Sequence, residues 1–172
     1  MPPPPSAFAS FGAGSWVVPP AMVAGADRIE IGSAVIVMDE GSLVARDGGR
    51  IVLGDRVVLA RFASVASAAE IVIEEDVLSS DGISVIDSWS GRRAPFSGLQ
   101  PTPEPVRIGA GSYLAMNSIV GPGVTVGANS YIGEGAIVLD DVPARAVVHG
   151  NPARVVRRFD EEVRRWLDVA PR

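Results

Sequence analysis

The sequence predicts an all-β solenoid: a parallel β-helix of about five to six triangular coils, with a protruding loop and a short C-terminal α-helix. Two observations carry this. From Ile108 to Val142 an aliphatic residue recurs at every sixth position, at Ile108, Leu114, Val120, Val126, Ile132 and Val138. A small or β-branched residue follows four places later each time, at Ser112, Ser118, Val124, Ser130, Ala136 and Val142. A six-residue period fits neither an amphipathic helix, near 3.6, nor a half-buried strand, near 2. It fits a coil in which each hexad is one flat side, with the aliphatic residue pointing inward and the small residue in the narrow corner. Three hexads complete a turn, which predicts Ile108 stacked on Val126, Leu114 on Ile132 and Val120 on Val138.

The beat extends towards the N-terminus with slips. Phe11, Val17, Val23 and Ile29 keep phase, and Ile31, Val37 and Leu43 restart it two residues later. After the turn-like Arg46-Asp47-Gly48-Gly49-Arg50, the run continues through Leu53, Leu59, Val65 and Ile71. Ile73 and Val85 then carry it on, with Ser79 as a weak member between them. The doublets Ile29/Ile31, Ile51/Leu53, Ile71/Ile73 and Val106/Ile108 each mark the start of a coil. These signals divide the chain into a flexible proline-rich tail (residues 1–10), a β-helix (11–153) and a C-terminal helix (154–172). Residues 90–105 have four prolines and no period, so they read as a loop extruded from one corner. Such loops on rigid scaffolds commonly carry function. Asn151-Pro152 reads as a helix start, and Val155, Phe159, Val163 and Trp166 recur at helical steps.

Composition bounds the function. At 172 residues and 47% hydrophobic content the chain forms one domain with ample core. The absence of Cys excludes a disulfide framework, a thiolate metal site and a cysteine nucleophile. A net charge of −5, without a basic stripe interleaved with aromatics, argues against nucleic acid. No apolar run approaches a membrane span, and MPPPPSA is no signal peptide, so a soluble cytoplasmic protein is expected. The single histidine, His149, excludes a zinc enzyme needing three protein ligands, and no metal is expected.

Residues 105–158, PVRIGAGSYLAMNSIVGPGVTVGANSYIGEGAIVLDDVPARAVVHGNPARVVRR, resemble the C-terminal half of hexapeptide-repeat acyltransferases, which include the galactoside, maltose, xenobiotic and polysaccharide O-acetyltransferases. The closing V-P-x-x-x-V-V-x-G-N-P-A-R, residues 142–154, is the most particular part, and the likeness thins back to about residue 11. The resemblance implies a left-handed coil, an exception to the usual crossover hand. It also implies a homotrimer, with acetyl-CoA or another acyl-CoA as donor in a groove between subunits and a small-molecule acceptor. In the family a histidine just before the extended loop is the general base, in a stretch such as D-H-x-H or D-x-x-H. Here the matching stretch is Ile86-Asp87-Ser88-Trp89-Ser90: Asp87 is in place, and Ser88 and Ser90 stand where histidine is expected.

The resemblance then places the remaining candidates. Asp87 would orient the acceptor or take a proton, and Ser90 would position a water. Trp89, Arg92, Arg93 and Tyr113 would shape the acceptor pocket. Asn117, Gly133, Glu134, Ala153, Arg154 and Arg157 would line the donor site, with Glu134 standing where the family often has alanine. It would bond a pantetheine amide or obstruct the groove. Backbone geometry alone also explains Asn117 at a tight corner, and the arginines also read as solvated charges. His149 reads as a side chain on the solenoid flank, or as a relocated base or donor ligand. Three functions remain open: acyl transfer, favouring an amine acceptor or a substrate-assisted mechanism because the base is missing; a catalytically inactive trimeric scaffold; and an unrelated reaction in the same inter-subunit cleft.

Overall fold

The structure, a computed structural model, describes residues 1–46, 48–89 and 102–169. Each coil contributes one short strand to each of three faces. The first coil uses Ser10–Phe11, Trp16–Val17 and Met22–Ala24, and the second Ile29–Ile31, Ile36–Val37 and Ser42–Ala45. The third uses Arg50–Leu53, Val58–Leu59 and Ser64–Ser67, and the fourth Glu70–Ile73, Leu78–Ser79 and Ser84–Ile86. The fifth uses Val106–Ile108, Tyr113–Leu114 and Ile119–Val120, and the sixth Thr125–Val126, Tyr131–Ile132 and Ile137–Val138. A partial seventh follows, with a bridge from Val142 to Val126 and the strand Ala146–His149. The result is an all-β parallel solenoid of about six turns, consistent with the left-handed coil that the resemblance implies.

The predicted stacking is observed: Ile108 pairs with Val126, Leu114 with Ile132 and Val120 with Val138. The two-residue slips also resolve into register, since Ile31 lies on Leu53, Val37 on Leu59 and Leu43 on Val65. Inward residues from the second coil onward are buried, as are the corner residues Ser112, Ser118, Ser130 and Ala136. Ser79, the polar member of an otherwise aliphatic column, accepts a hydrogen bond on Oγ from the Ala60 N–H at 3.0 Å. That bond satisfies a hydroxyl in a place where an unpaired one would be costly.

Both ends of the solenoid are covered. At the N-terminal end, Pro5–Ala7 forms a single 3₁₀ turn and Phe8 drops into the core at 7% exposure. Its ring lies 5.2 Å from that of Phe11. Residues 1–10, expected as a flexible tail, thus supply a core residue.

At the other end the expected C-terminal helix is not formed. Residues Arg154–Asp160 and Arg165–Asp168 are antiparallel strands that continue the second face, making it nine strands wide. The reason is the open sheet edge left by Ala146–His149, whose N–H and C=O groups require partners. Gly150, at φ 99°, turns the chain back onto that edge. Val155, Val156, Phe159 and Trp166 are β-branched or aromatic and suit a strand. Phe159 and Trp166 face each other across the hairpin, edge to face, at 5.6 Å. Ala153 and Val155 pack against the core, so the hairpin covers the end that the helix was expected to cover.

The outward residues distinguish the faces. On the first face Arg50 bridges Glu30 at 2.8 Å and Glu70 at 2.6 Å, three charges stacked along the axis. The second face carries an uncharged column in continuous register: Trp16, Ile36, Val58, Leu78, Tyr113, Tyr131 and Val147. Trp16 is 69% exposed and Leu78 45%. Met38, Phe62 and Met116 are also exposed. A monomer does not ordinarily leave so long an apolar stripe open.

Candidate active site

Three groups of residues frame the candidate site. The first lies where the third face gives way to the extruded segment. Here Asp87 is fully buried. Its Oδ2 accepts from the Ser67 hydroxyl at 2.7 Å and the Ala69 N–H at 2.8 Å, and Oδ1 accepts from the Ala68 N–H at 2.8 Å. The Asp87 carbonyl accepts from the Glu104 N–H at 2.8 Å. Asp87 therefore ties the preceding coil to both ends of the excursion. Its carboxylate satisfies three donors and presents nothing to solvent.

Trp89 is 55% exposed and lies over Gly121, where a methyl group would come within 2.9 Å of Cζ2. Ser90, Arg92 and Arg93, the other residues expected here, lie outside the described residues, as do positions 91 and 94–101 of the expected loop.

The second group sits on the second face over the last coils. Tyr113 and Tyr131 stack at 5.4 Å with their planes 15° apart, and His149 continues the column 6.1 Å from Tyr131. The Tyr131 hydroxyl donates to Glu134 Oε1 at 2.8 Å. That bond raises the phenol's pKa. The Glu134 carboxyl is held below its usual range, first by a backbone N–H of its own, then by the Tyr131 hydroxyl, with His149 adding to the effect. Glu134 is thereby drawn back towards the face instead of projecting freely from the corner.

Gly133 has a packing reason in this structure: a methyl group there would collide with the His149 ring. Asn117 sits at a tight corner with φ 57°, and its Oδ1 would meet any side chain placed on Gly82. Its conformation follows from corner geometry, since Asn tolerates the left-handed region.

The third group is the end motif. The Ala153 N–H donates to the Ile137 carbonyl at 2.8 Å. Arg154 pairs with Asp140 at 3.2 Å and Arg157 with Asp168 at 3.0 Å. Both pairs are well exposed, so they hold their arginines weakly and would yield them to a polyanion. Ala153 and Arg154 also line a small cleft of about 110 Å³ between the last coil and the hairpin.

The single chain does not unite these groups. Asp87 and Trp89 belong to the end of the third face, whereas Tyr113, Tyr131 and Glu134 belong to the second face and its corner. Reading the sequence missed the three donors on Asp87, which come from residues about one coil earlier, and the pairing of Gly133 with His149. The latter signal was available, because coil stacking brings those two positions together. Among the described residues no cluster of three His, Asp or Glu side chains gathers to hold a metal ion. Nor is any described helix long and apolar enough to cross a membrane.

Comparison with known proteins follows the same lines. The bacterial transferase hexapeptide family, six repeats, matches residues 105–140. Galactoside O-acetyltransferase from Escherichia coli (strain K12) is 28% identical over 154 residues, covering 90% of this chain and 66% of that protein. A putative acetyltransferase from Staphylococcus aureus (strain MRSA252) is 42% identical over 59 residues, covering 34% of this chain and 30% of the relative. The chain thus spans less than two thirds of the length of these curated relatives. Among solved structures, AntD, an N-acyltransferase from Bacillus cereus in complex with dTDP and 3-hydroxybutyryl-CoA, superposes with a TM-score of 0.80. It is 17% identical, with 92% of this chain and 87% of that one covered. A hexapeptide-repeat acetyltransferase from Vibrio cholerae O1 biovar eltor, complexed with acetyl coenzyme A, gives 0.66 at 22% identity, covering 91% and 74%. At these identities the structural matches show the fold. Together with the sequence matches they bear out the resemblance: residues 105–140 match the hexapeptide family, and the relatives of this β-solenoid in sequence and fold are acetyl- and acyltransferases.

Proposed function

We propose that the chain is a CoA-dependent acyltransferase that acylates an amine on a sugar or other small metabolite and works as a homotrimer. One observation carries it. The hexad ladder ends in the segment 142–154 at the last coil, in a chain alignable over 90% of its length with a galactoside O-acetyltransferase. The amine follows from chemistry. Removing a general base from a hydroxyl acceptor costs about 10²–10⁴ in rate, and Ser88 stands where that base is expected. A neutral amine already offers its lone pair. Its nitrogen bonds to the acyl carbon, the C–S bond breaks, and coenzyme A leaves as a thiolate that takes up the proton shed by nitrogen. N-acyltransferases among the structural neighbours support this choice, including a perosamine N-acetyltransferase mutant from Caulobacter crescentus in complex with CoA and GDP-perosamine.

In this reading the uncharged column of the second face is the surface on which copies pack, and the cleft lies between subunits. That packing brings the root of the excursion on one subunit near the Tyr113–Tyr131–Glu134 face of the next. Arg154 and Arg157 on the hairpin meet the phosphates of the acyl-CoA, Asn117, Gly133, Glu134 and Ala153 lie along its pantetheine arm, and Asp87 acts as a positioning residue. Trp89 and Tyr113, with Arg92, Arg93 and Ser90, surround the acceptor. A cytoplasmic setting, where acyl-CoA is made, goes with this reading.

The buried and fully bonded Asp87 carboxylate favours a second reading, an inactive trimeric scaffold. Thiol release from acetyl-CoA separates the two. With a panel of amino sugars the chain should release thiol at least about a hundredfold above the uncatalysed rate, and faster than with the matching hydroxy sugars. Release at the background rate with every acceptor would favour the scaffold.

A further inference from the structure

The turn Gly121-Pro122-Gly123 in the fifth coil is held between two side chains from opposite ends of the excursion. Trp89 covers Gly121, and the Glu104 carboxylate covers Gly123, where a methyl group would come within 2.6 Å of Oε2. A methyl group on either glycine would displace the side chain above it, and Gly123, at φ 75°, also has a corner conformation that favours glycine. The outward column of the third face runs Ala24, Val44, Ala66, Ile86, Gly121, Leu139. Gly121 is its one position without a side chain, and the indole fills the gap.

The benzo ring of the indole, at Cζ2 and Cη2, is thus seated over Gly121 while the residue stays 55% exposed. Glu104, two turn positions along, is exposed as well. Their main chains are coupled too: Glu104 N–H donates to the Asp87 carbonyl at 2.8 Å, and Gly123 N–H donates to the Glu104 carbonyl at 3.0 Å. An exposed aromatic plane seated near an exposed carboxylate has a defined chemical preference. The plane takes the C–H face of a saturated ring or a cation, and the carboxylate takes ammonium hydrogens.

We propose that this clasp is the acceptor subsite and that it selects an amino sugar, with the ring lying on Trp89 and the ammonium or amine group against Glu104. The proposal deepens the acyl-transfer reading and rests on it for the identification of the ligand as an acceptor.

Glucosamine and glucose, differing in one amine, are suitable probes, with dissociation constants measured by NMR titration of the full chain. The wild type should bind glucosamine at least about tenfold more tightly than glucose. Glu104→Gln should remove that preference. Trp89→Ala should weaken both sugars about tenfold. Gly121→Ala, which keeps both side chains but lifts the indole, should reproduce the Trp89→Ala loss. Circular dichroism confirms that each variant is folded, and Glu104→Gln at an exposed position judges the proposal by itself if the others are not. No preference for glucosamine in the wild type, or a preference that survives Glu104→Gln, overturns the proposal. A preference seen in a chain that releases no thiol from acetyl-CoA would leave the clasp standing and remove the acyl-transfer reading instead.

Discussion

Asp87→Ala is expected to destabilise the fold by about 3–5 kcal/mol, lowering Tm by roughly 6–20 °C in a thermal melt. The substitution strands three donors inside the corner: the Ser67 hydroxyl and the Ala68 and Ala69 N–H groups, all now bonded at 2.7–2.8 Å. Hydrogen bonds to an ionised acceptor contribute about 1.5–3 kcal/mol each, and a buried donor left without a partner costs more than a bond never made. Asp87→Asn should cost about half as much, because one oxygen survives while the new amide NH₂ faces a donor. The melt discriminates between roles. A catalytic carboxylate would lose activity on substitution with stability intact, whereas a corner-holding carboxylate loses stability first. A change below about 1 kcal/mol would show that the corner holds without it.

Leu78→Glu is expected to convert the proposed trimer to monomers, with the mass in light scattering falling about threefold. Leu78 is the middle member of the uncharged column on the second face and is 45% exposed in the single chain. If copies pack on that column, the substitution forces a carboxylate into an apolar contact with no cation opposite, at a cost of several kcal/mol per subunit. In a monomer the same change on an exposed strand would stay within about 0.5 kcal/mol. Val52→Glu on the charged first face serves as the control and should leave the mass unchanged. Thiol release should fall with the mass in Leu78→Glu, since the cleft needs two subunits. A wild-type chain that runs as a monomer, or a Leu78→Glu variant that stays trimeric, would move the interface elsewhere.

The architecture was legible because the signal for it is redundant. Six hexads in phase, from Ile108 to Val142, fix period and register together, and each inward residue reports the same geometry. The slips between Ile29 and Ile31, or Ile71 and Ile73, were legible for the same reason, since both members of each doublet are buried on the first face. The apolar column was equally present, one position before each inward residue of the second face, but it describes an outward surface that the fold does not require.

The C-terminal segment misled for a physical reason. Val155 and Phe159 are four apart, a spacing that a helix and a strand both place on one side, and the competing factor was an open sheet edge several residues away. Sequence located Asp87 just before the excursion and left its role open. Whether a carboxylate faces a cleft or a ring of donors depends on residues a full coil earlier. Gly133 resembled a donor-groove glycine, yet its lack of a side chain is explained by the His149 ring beside it.

Calorimetric titration of the full chain with acetyl-CoA tests the central claim most directly, because it asks for donor recognition without requiring the acceptor. We expect one molecule bound per subunit with a dissociation constant between about 1 μM and 1 mM, the range in which enzymes commonly hold their substrates. Affinity should weaken as salt is raised if the arginines of the hairpin meet the phosphates as proposed. No heat of binding at millimolar acetyl-CoA would contradict the assignment and leave the solenoid as a scaffold.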